Sequence, residues 1–274
     1  MLQKTPASAA CAAVAPLLAP DEPPAVEIVN GEARAPILIL CDHASRRVPR
    51  VLGDLGVEPT AFERHVAWDV GAAGVARRLA ASFDAPLVMA GYSRLVIDLN
   101  RALDHPDSIP VLSEDVVVPG NRGLSPDDRL ARVAALFEPY HEAVASALET
   151  MLERGDVPVV VSVHSFTPVY AKLARPWHCG VLWDRDPRLA DPLIARLAAA
   201  GDVLIGDNEP YSGGDGTGYT VHSHAAAQGL PHVTLEIRQD LIAADAGVEA
   251  WAERLIAAFR PLLADPAIHQ IAHY

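Results

Sequence analysis

Short uninterrupted apolar runs alternate along this chain with longer stretches whose apolar residues recur every three or four positions. The first kind includes Pro36-Ile37-Leu38-Ile39-Leu40-Cys41 and Val157-Pro158-Val159-Val160-Val161-Ser162-Val163. Such runs read as strands of a parallel sheet covered on both faces. Further strands are predicted at 86–90, 95–99, 179–183, 203–206 and 233–237. The second kind predicts amphipathic helices. In 66–83, Val70, Ala73, Val75 and Leu79 share a face, with Arg77 and Arg78 on the other. Ser125-Pro126-Asp127-Asp128 supplies an N-cap, a first-turn proline and first-turn acids, so a helix starts there. Pro139 kinks or breaks that helix and Gly155 ends it. Helices at 191–200, 219–228 and 248–263 complete the alternation. Two irregular stretches, 102–124 and 207–218, are long enough to suggest a functional role. The alternation predicts an α/β fold: a three-layer sandwich around a mixed, mostly parallel sheet.

Composition narrows the function classes. With 274 residues and 50% hydrophobic content, the chain can bury one large core. Its net charge is −13 and it has no Lys/Arg block, which argues against nucleic acid or an anionic membrane as the main partner. A small anionic substrate in a locally basic pocket stays compatible. The three cysteines, Cys11, Cys41 and Cys179, lack metal or disulfide spacing, so a reducing cytoplasm is expected. No apolar run approaches the ~20 residues of a membrane span. The Ala- and Pro-rich residues 1–24 are expected to be a disordered leader. Their stretch 7–18 makes a poor signal core, because alanine is weakly hydrophobic and Pro16 interrupts it. Residues 25–274 are then a single catalytic domain.

The candidate chemistry sits at the ends of the predicted strands, where ligands gather in open α/β sheets. One strand delivers Asp42-His43, another His164-Ser165, a third Glu236. Two histidines and a carboxylate suit a metal-assisted hydrolase, and a catalytic zinc takes three protein ligands. Asp69, at a helix start, is the candidate third ligand or else a carboxylate stabilised by the helix dipole, with Asp42 and His65 as alternatives; Asp42 could instead orient a ligand from behind. Glu236 is either a general base or the ion-pair partner of Arg238. Arg94, Asn100 and Arg101 form a donor cluster suited to a carboxylate, against the alternative of a structural Arg94–Asp98 pair. Tyr211, Tyr219 and His224 flank the glycine-rich stretch as candidate substrate contacts. Ser45 and Ser165 lie near histidines but in no nucleophile elbow. Nucleotide-binding glycine motifs are absent from the sequence.

These residues together resemble the N-formylglutamate amidohydrolase (deformylase) family. The matching stretches are Cys41-Asp42-His43-Ala44-Ser45, His65 to Ala72, Tyr92-Ser93-Arg94 with Asn100-Arg101, Val163-His164-Ser165-Phe166, Asn208 to Ser212 and Leu235 to Leu241. The resemblance implies a fold similar to zinc carboxypeptidases and hydrolysis of N-formyl-L-glutamate in histidine degradation. It implies zinc on His43 and His164, Glu236 as base, and Arg94 with Asn100-Arg101 on the substrate carboxylates. One departure stands out: Arg46 in His43-Ala44-Ser45-Arg46 occupies the place of the carboxypeptidase His-x-x-Glu ligand. Two alternatives follow: a carboxypeptidase-like hydrolase of another N-acyl amino acid, or a non-catalytic carboxylate-binding protein. A monomer or small homo-oligomer is expected.

Overall fold

A computed structural model describes residues 16–216 and 218–274. Seven strands form one sheet: β1 (Val26–Val29), β2 (Ile37–Cys41), β3 (Leu87–Ala90), β4 (Val159–Phe166), β5 (Cys179–Leu182), β6 (Ile205–Asp207) and β7 (His232–Arg238). Their order is β1-β3-β2-β4-β7-β5-β6. The pairs β3–β2, β2–β4, β4–β7 and β5–β6 are parallel, whereas β1–β3 and β7–β5 are antiparallel. The sheet is therefore mixed and mostly parallel, as expected.

Strand alternation sorts the core into two layers. Ile37, Ile39, Val159, Val161, Val181, Val233 and Leu235 face α1 (Ala72–Phe83), α4 (Pro187–Ala198) and α6 (Asp245–Leu263). Leu38, Leu40 and Val160 face the other way, toward α3 (Glu138–Glu153) and the 92–99 loop. The functional residues of β4, β5 and β7 share this second face, because they alternate with those of the first. A short helix, α2 (Pro126–Arg132), precedes α3 and opens with a capping box between Ser125 and Asp128. One π-helical stretch, Val133–Phe137, joins α2 to α3 just before Pro139. The expected break is thus absorbed by a widened turn. α5 (Thr220–His224) is shorter than the helix expected at 219–228.

Three expectations change. The packed chain begins before residue 25: residues 1–15 lie outside the described residues, but Leu17 is buried and Tyr92 Oη donates to the Pro23 carbonyl at 2.8 Å. α1 begins at Ala72, where Gly71 takes a φ of 81°. A Cβ on Gly71 would lie 2.1 Å from the Ile242 carbonyl oxygen, so the chain cannot pass there with any other residue undisturbed. Finally, 95–99 is not a strand but a succession of turns. Ser93 Oγ accepts from Leu95 N–H at 3.2 Å and Asp98 Oδ1 accepts from Asn100 N–H at 2.9 Å. These local bonds take donors that a sheet ladder would use.

That turning loop is held by an arginine clamp. Arg132, 1% exposed, donates to the Val96 carbonyl at 2.8 Å and to Asn121 Oδ1 at 2.6 Å. Asn121 Nδ2 donates in turn to the Leu95 and Pro110 carbonyls at 2.8 and 2.7 Å. Arg132→Ala strands these buried acceptors, and each hydrogen bond to a charged donor contributes ~1.5–3 kcal/mol. The expected loss is about 3 kcal/mol, read as a lower urea midpoint. Arg132→Lys should rescue little of it, since the planar fork is gone.

Candidate metal centre

β2 and β4 are parallel neighbours with Leu40 level with Ser162. Continuing that register brings Asp42 level with His164. Asp42 Oδ2 indeed lies 2.9 Å from His164 Nε2 and accepts from Ser162 Oγ at 3.0 Å. His43 follows one residue later, and its ring stands 5.0 Å from that of His164. Asp69 enters from the turn before α1. Its own N–H donates to the His43 carbonyl at 3.0 Å, and Ser165 N–H donates to its Oδ2 at 3.2 Å.

Asp69 Oδ2 then lies 2.8 Å from His164 Nδ1 and 3.4 Å from His43 Nδ1. One donor atom from each of His43, Asp69 and His164 falls within 4.8 Å of the others. The far nitrogens are also held: His164 Nε2 by Asp42, and His43 Nε2 by Asp98 Oδ1 at 2.7 Å. A carboxylate behind each imidazole fixes its ring and raises its basicity, which is the usual support for a metal-binding histidine. Two imidazoles and one carboxylate are also a donor set that zinc accepts with a coordination position left open. Of the alternative third ligands, Asp42 backs His164 and His65 Nε2 faces Glu114 Oε2 at 3.0 Å. Arg46, at the departure from the carboxypeptidase pattern, pairs with Glu63 and lies over the Trp68 ring.

The charge balance points the same way. Burial opposes ionisation of Asp42, Asp69 and Asp98, yet the histidines and Arg94 hold all three well below the ordinary carboxylate range. Burial likewise disfavours a charged His164, but its bonds to Asp42 and Asp69 raise it well above the usual imidazole range. The cluster thus pulls positive charge onto its imidazoles. A divalent cation would supply that charge and leave the rings neutral. Asp69 Oδ1, buried without a hydrogen bond and 3.5 Å from an Arg94 guanidinium nitrogen, would be a further donor atom for such an ion.

Glu236 stands beside His164 on β7, its exact partner in the parallel register. On the other side it faces Gly180 of β5. A Cβ on Gly180 would lie 2.0 Å from the Glu209 carbonyl oxygen and 3.5 Å from Glu236 Cβ, so glycine lets the 208–213 loop close over the carboxylate. Glu236 is buried and its Oε2 has no hydrogen-bond partner. Burial pushes its carboxyl up to about 7, against the charge of His164 and with that of Asp69. Arg238 does not pair with it; its guanidinium binds Asp240, with 2.8 Å from Nε to Oδ1.

A cavity of about 310 Å³ opens onto these groups, lined by Arg94, Asn100, Arg101 and Tyr211 among others. The Arg94–Asp98 pair is present, at 2.6 Å, and Arg94 still borders the cavity. Asn100 Oδ1 accepts from Tyr219 and Thr220 N–H at 2.8 and 2.9 Å, so it tethers the start of α5. Arg101 donates to the Asn100 carbonyl at 2.9 Å. Tyr211 Oη accepts from Arg175 at 2.9 Å. Tyr219 and His224 do not border the cavity. Tyr219 packs on Phe137 and His141, and His224 Nε2 donates to His141 Nδ1 at 2.9 Å. His222 and His232 border it instead. Ser165 Oγ donates to the Val70 carbonyl at 2.9 Å and not to His164.

The family described as N-formylglutamate amidohydrolase matches residues 35–243. A solved gene product of Agrobacterium tumefaciens is 38% identical over 90% of this chain and 99% of its own, with a TM-score of 0.85. The N-formylglutamate amidohydrolase of Ralstonia eutropha JMP134 is 19% identical over 87% of this chain and 97% of its own, with a TM-score of 0.65, a likeness of fold. Curated protein sequences give no match to the chain. None of the described helices is long and apolar enough to cross a membrane.

Proposed function

The chain belongs to the N-formylglutamate amidohydrolase family, and on that premise we propose a metal-dependent hydrolase of N-acyl amino acids, with N-formyl-L-glutamate as first substrate. The observation that carries the reading is the convergence of His43 Nδ1, His164 Nδ1 and Asp69 Oδ2 beside an unpartnered Glu236 carboxylate. We assign zinc to the three ligands. When bound, the ion supplies Lewis acidity toward the amide carbonyl and lowers the pKa of water. Asp42 and Asp98 bind the far ring nitrogens and would hold both imidazoles in place for it.

Glu236 takes the proton of the attacking water and returns it to the departing amide nitrogen. Arg94 and Arg101 at the cavity wall receive the substrate carboxylates and fix its orientation. Tyr211, on the loop that closes over Glu236, completes the substrate wall. Histidine breakdown in the cytoplasm is the setting this reading fits.

The test is release of formate from N-formyl-L-glutamate by protein purified without chelator. Turnover should vanish on treatment with a chelator and return with added zinc. Turnover that survives complete metal removal would reject the metal-dependent reading.

A further inference from the structure

The cavity does not end at Glu236. On β7, His232, Thr234 and Glu236 point to the same face, and all three border the cavity. Four residue steps of strand run from the first to the last, about 13 Å at the usual rise. Leu182 of β5, level with Thr234, adds to the floor of this arm, and Val221 and Ala226 also line the cavity. A formyl group carries one carbon and would leave the arm unfilled.

Besides Thr234 and His222, the arm carries a buried imidazole. His232 is 6% exposed, and its Nδ1 lies 2.7 Å from the Leu230 carbonyl oxygen. A carbonyl only accepts, so Nδ1 carries the proton and Nε2 presents a bare lone pair. His232 borders the cavity, and the bond to Leu230 leaves Nε2 as the nitrogen that can meet a ligand there. Burial lowers the pKa of this imidazole, which keeps it neutral and an acceptor. An acceptor set in a mostly apolar cavity wall favours a ligand that brings a donor to it.

Sheet order says which half of the substrate reaches it. Arg94 follows β3, His43 follows β2, His164 is on β4, Glu236 on β7 and Leu182 on β5. The arginine and the arm therefore flank the histidine–aspartate cluster on opposite sides. A substrate whose carboxylate meets Arg94 directs its acyl group toward β7 and β5.

We infer that this arm is an acyl subsite, and that the enzyme accepts extended N-acyl groups ending in a hydrogen-bond donor, received by His232 Nε2. The inference rests on the proposed amide hydrolysis for its orientation. Three probes test it on metal-loaded protein: N-formyl-, N-hexanoyl- and N-(6-hydroxyhexanoyl)-L-glutamate. The hydroxylated probe should exceed the hexanoyl one about tenfold in kcat/KM, the worth of one buried hydrogen bond. His232→Phe keeps a ring but no acceptor, and should bring that ratio to about one. Val221→Trp, which fills the arm from α5, should depress both long probes relative to the formyl one and guards against a His232 variant that fails to fold.

Calorimetric binding of the two long probes to Glu236→Gln separates the subsite from the chemistry. A preference for the hydroxylated probe that needs His232, with no turnover of any probe by the parent protein, would sink the hydrolase reading and keep the subsite. Turnover of the formyl probe, with long probes excluded or with the ratio unchanged in His232→Phe, would overturn the subsite and keep the hydrolase.

Discussion

Glu236→Gln is expected to lower kcat by about 10²–10⁴-fold while leaving metal content intact. Glutamine keeps the volume of glutamate, and no described residue donates to Glu236 Oε2, so no hydrogen bond to that atom is broken. The pH profile adds a second signature. A base acts when ionised, so kcat/KM should rise with pH through the carboxyl's titration. Burial places that titration at about 7 in the ion-free protein, and a bound cation moves it lower. The variant should lose this rising limb.

Stability has the opposite slope. A carboxyl raised in the folded state favours folding below its ordinary range, and that contribution is lost as pH rises through about 7. Ion-free parent protein should therefore be less stable at pH 8 than at pH 5. Glu236→Gln should remove this group's part of the slope, seen in urea midpoints at the two pH values. A variant that keeps both its metal and its turnover would exclude Glu236 as the base.

The parts of this architecture that the sequence makes legible are those with uniform surroundings. β2 and β4 are covered on both faces, so their residues read as unbroken apolar runs, and the polar residues at their ends stand out as His43 and His164. Asp69 is legible as a carboxylate at a helix start, but only the fold brings its Oδ2 to both imidazoles. Asp98 enters the sequence reading only as the alternative partner of Arg94. Its second contact, to His43 Nε2, joins residues 55 positions apart and leaves no local trace.

The 95–99 segment misled because its apolar residues suit a strand, while Ser93 and Asp98 bend the backbone through their own side chains. Those two polar residues, with Ser93 also donating to the Ala67 carbonyl at 2.7 Å, were the available signal. The phase of α5 was beyond reach for another reason. A helix of five residues carries too little periodicity to say that Val221 and His222, and not Tyr219 and His224, border the cavity. His232 reads only as the start of an apolar run. Its role depends on which ring nitrogen meets Leu230, which no sequence pattern records.

Loss of the ion should be the largest effect of all. Asp69→Ala removes the oxygen on which both Nδ1 atoms converge, and leaves His43 and His164 buried beside Asp98 and Asp42. Activity should fall to background, since the cation is proposed to supply the Lewis acid and not merely to hold the fold. Asp42→Asn and Asp98→Asn keep all three ligands and should cost about 10–100-fold in metal affinity, the usual effect of losing the carboxylate behind a ligand. This ranking separates ligand from support: activity in the two asparagine variants should recover with excess zinc, and in Asp69→Ala it should not. Crystals of the protein, grown without chelator, allow the most direct test by anomalous scattering at the zinc edge. The account predicts one strong peak, ~2.0–2.1 Å from the Nδ1 atoms of both His43 and His164 and in contact with the Asp69 carboxylate. Fully active crystals with no peak there, or with the ion bound at other side chains, would contradict it.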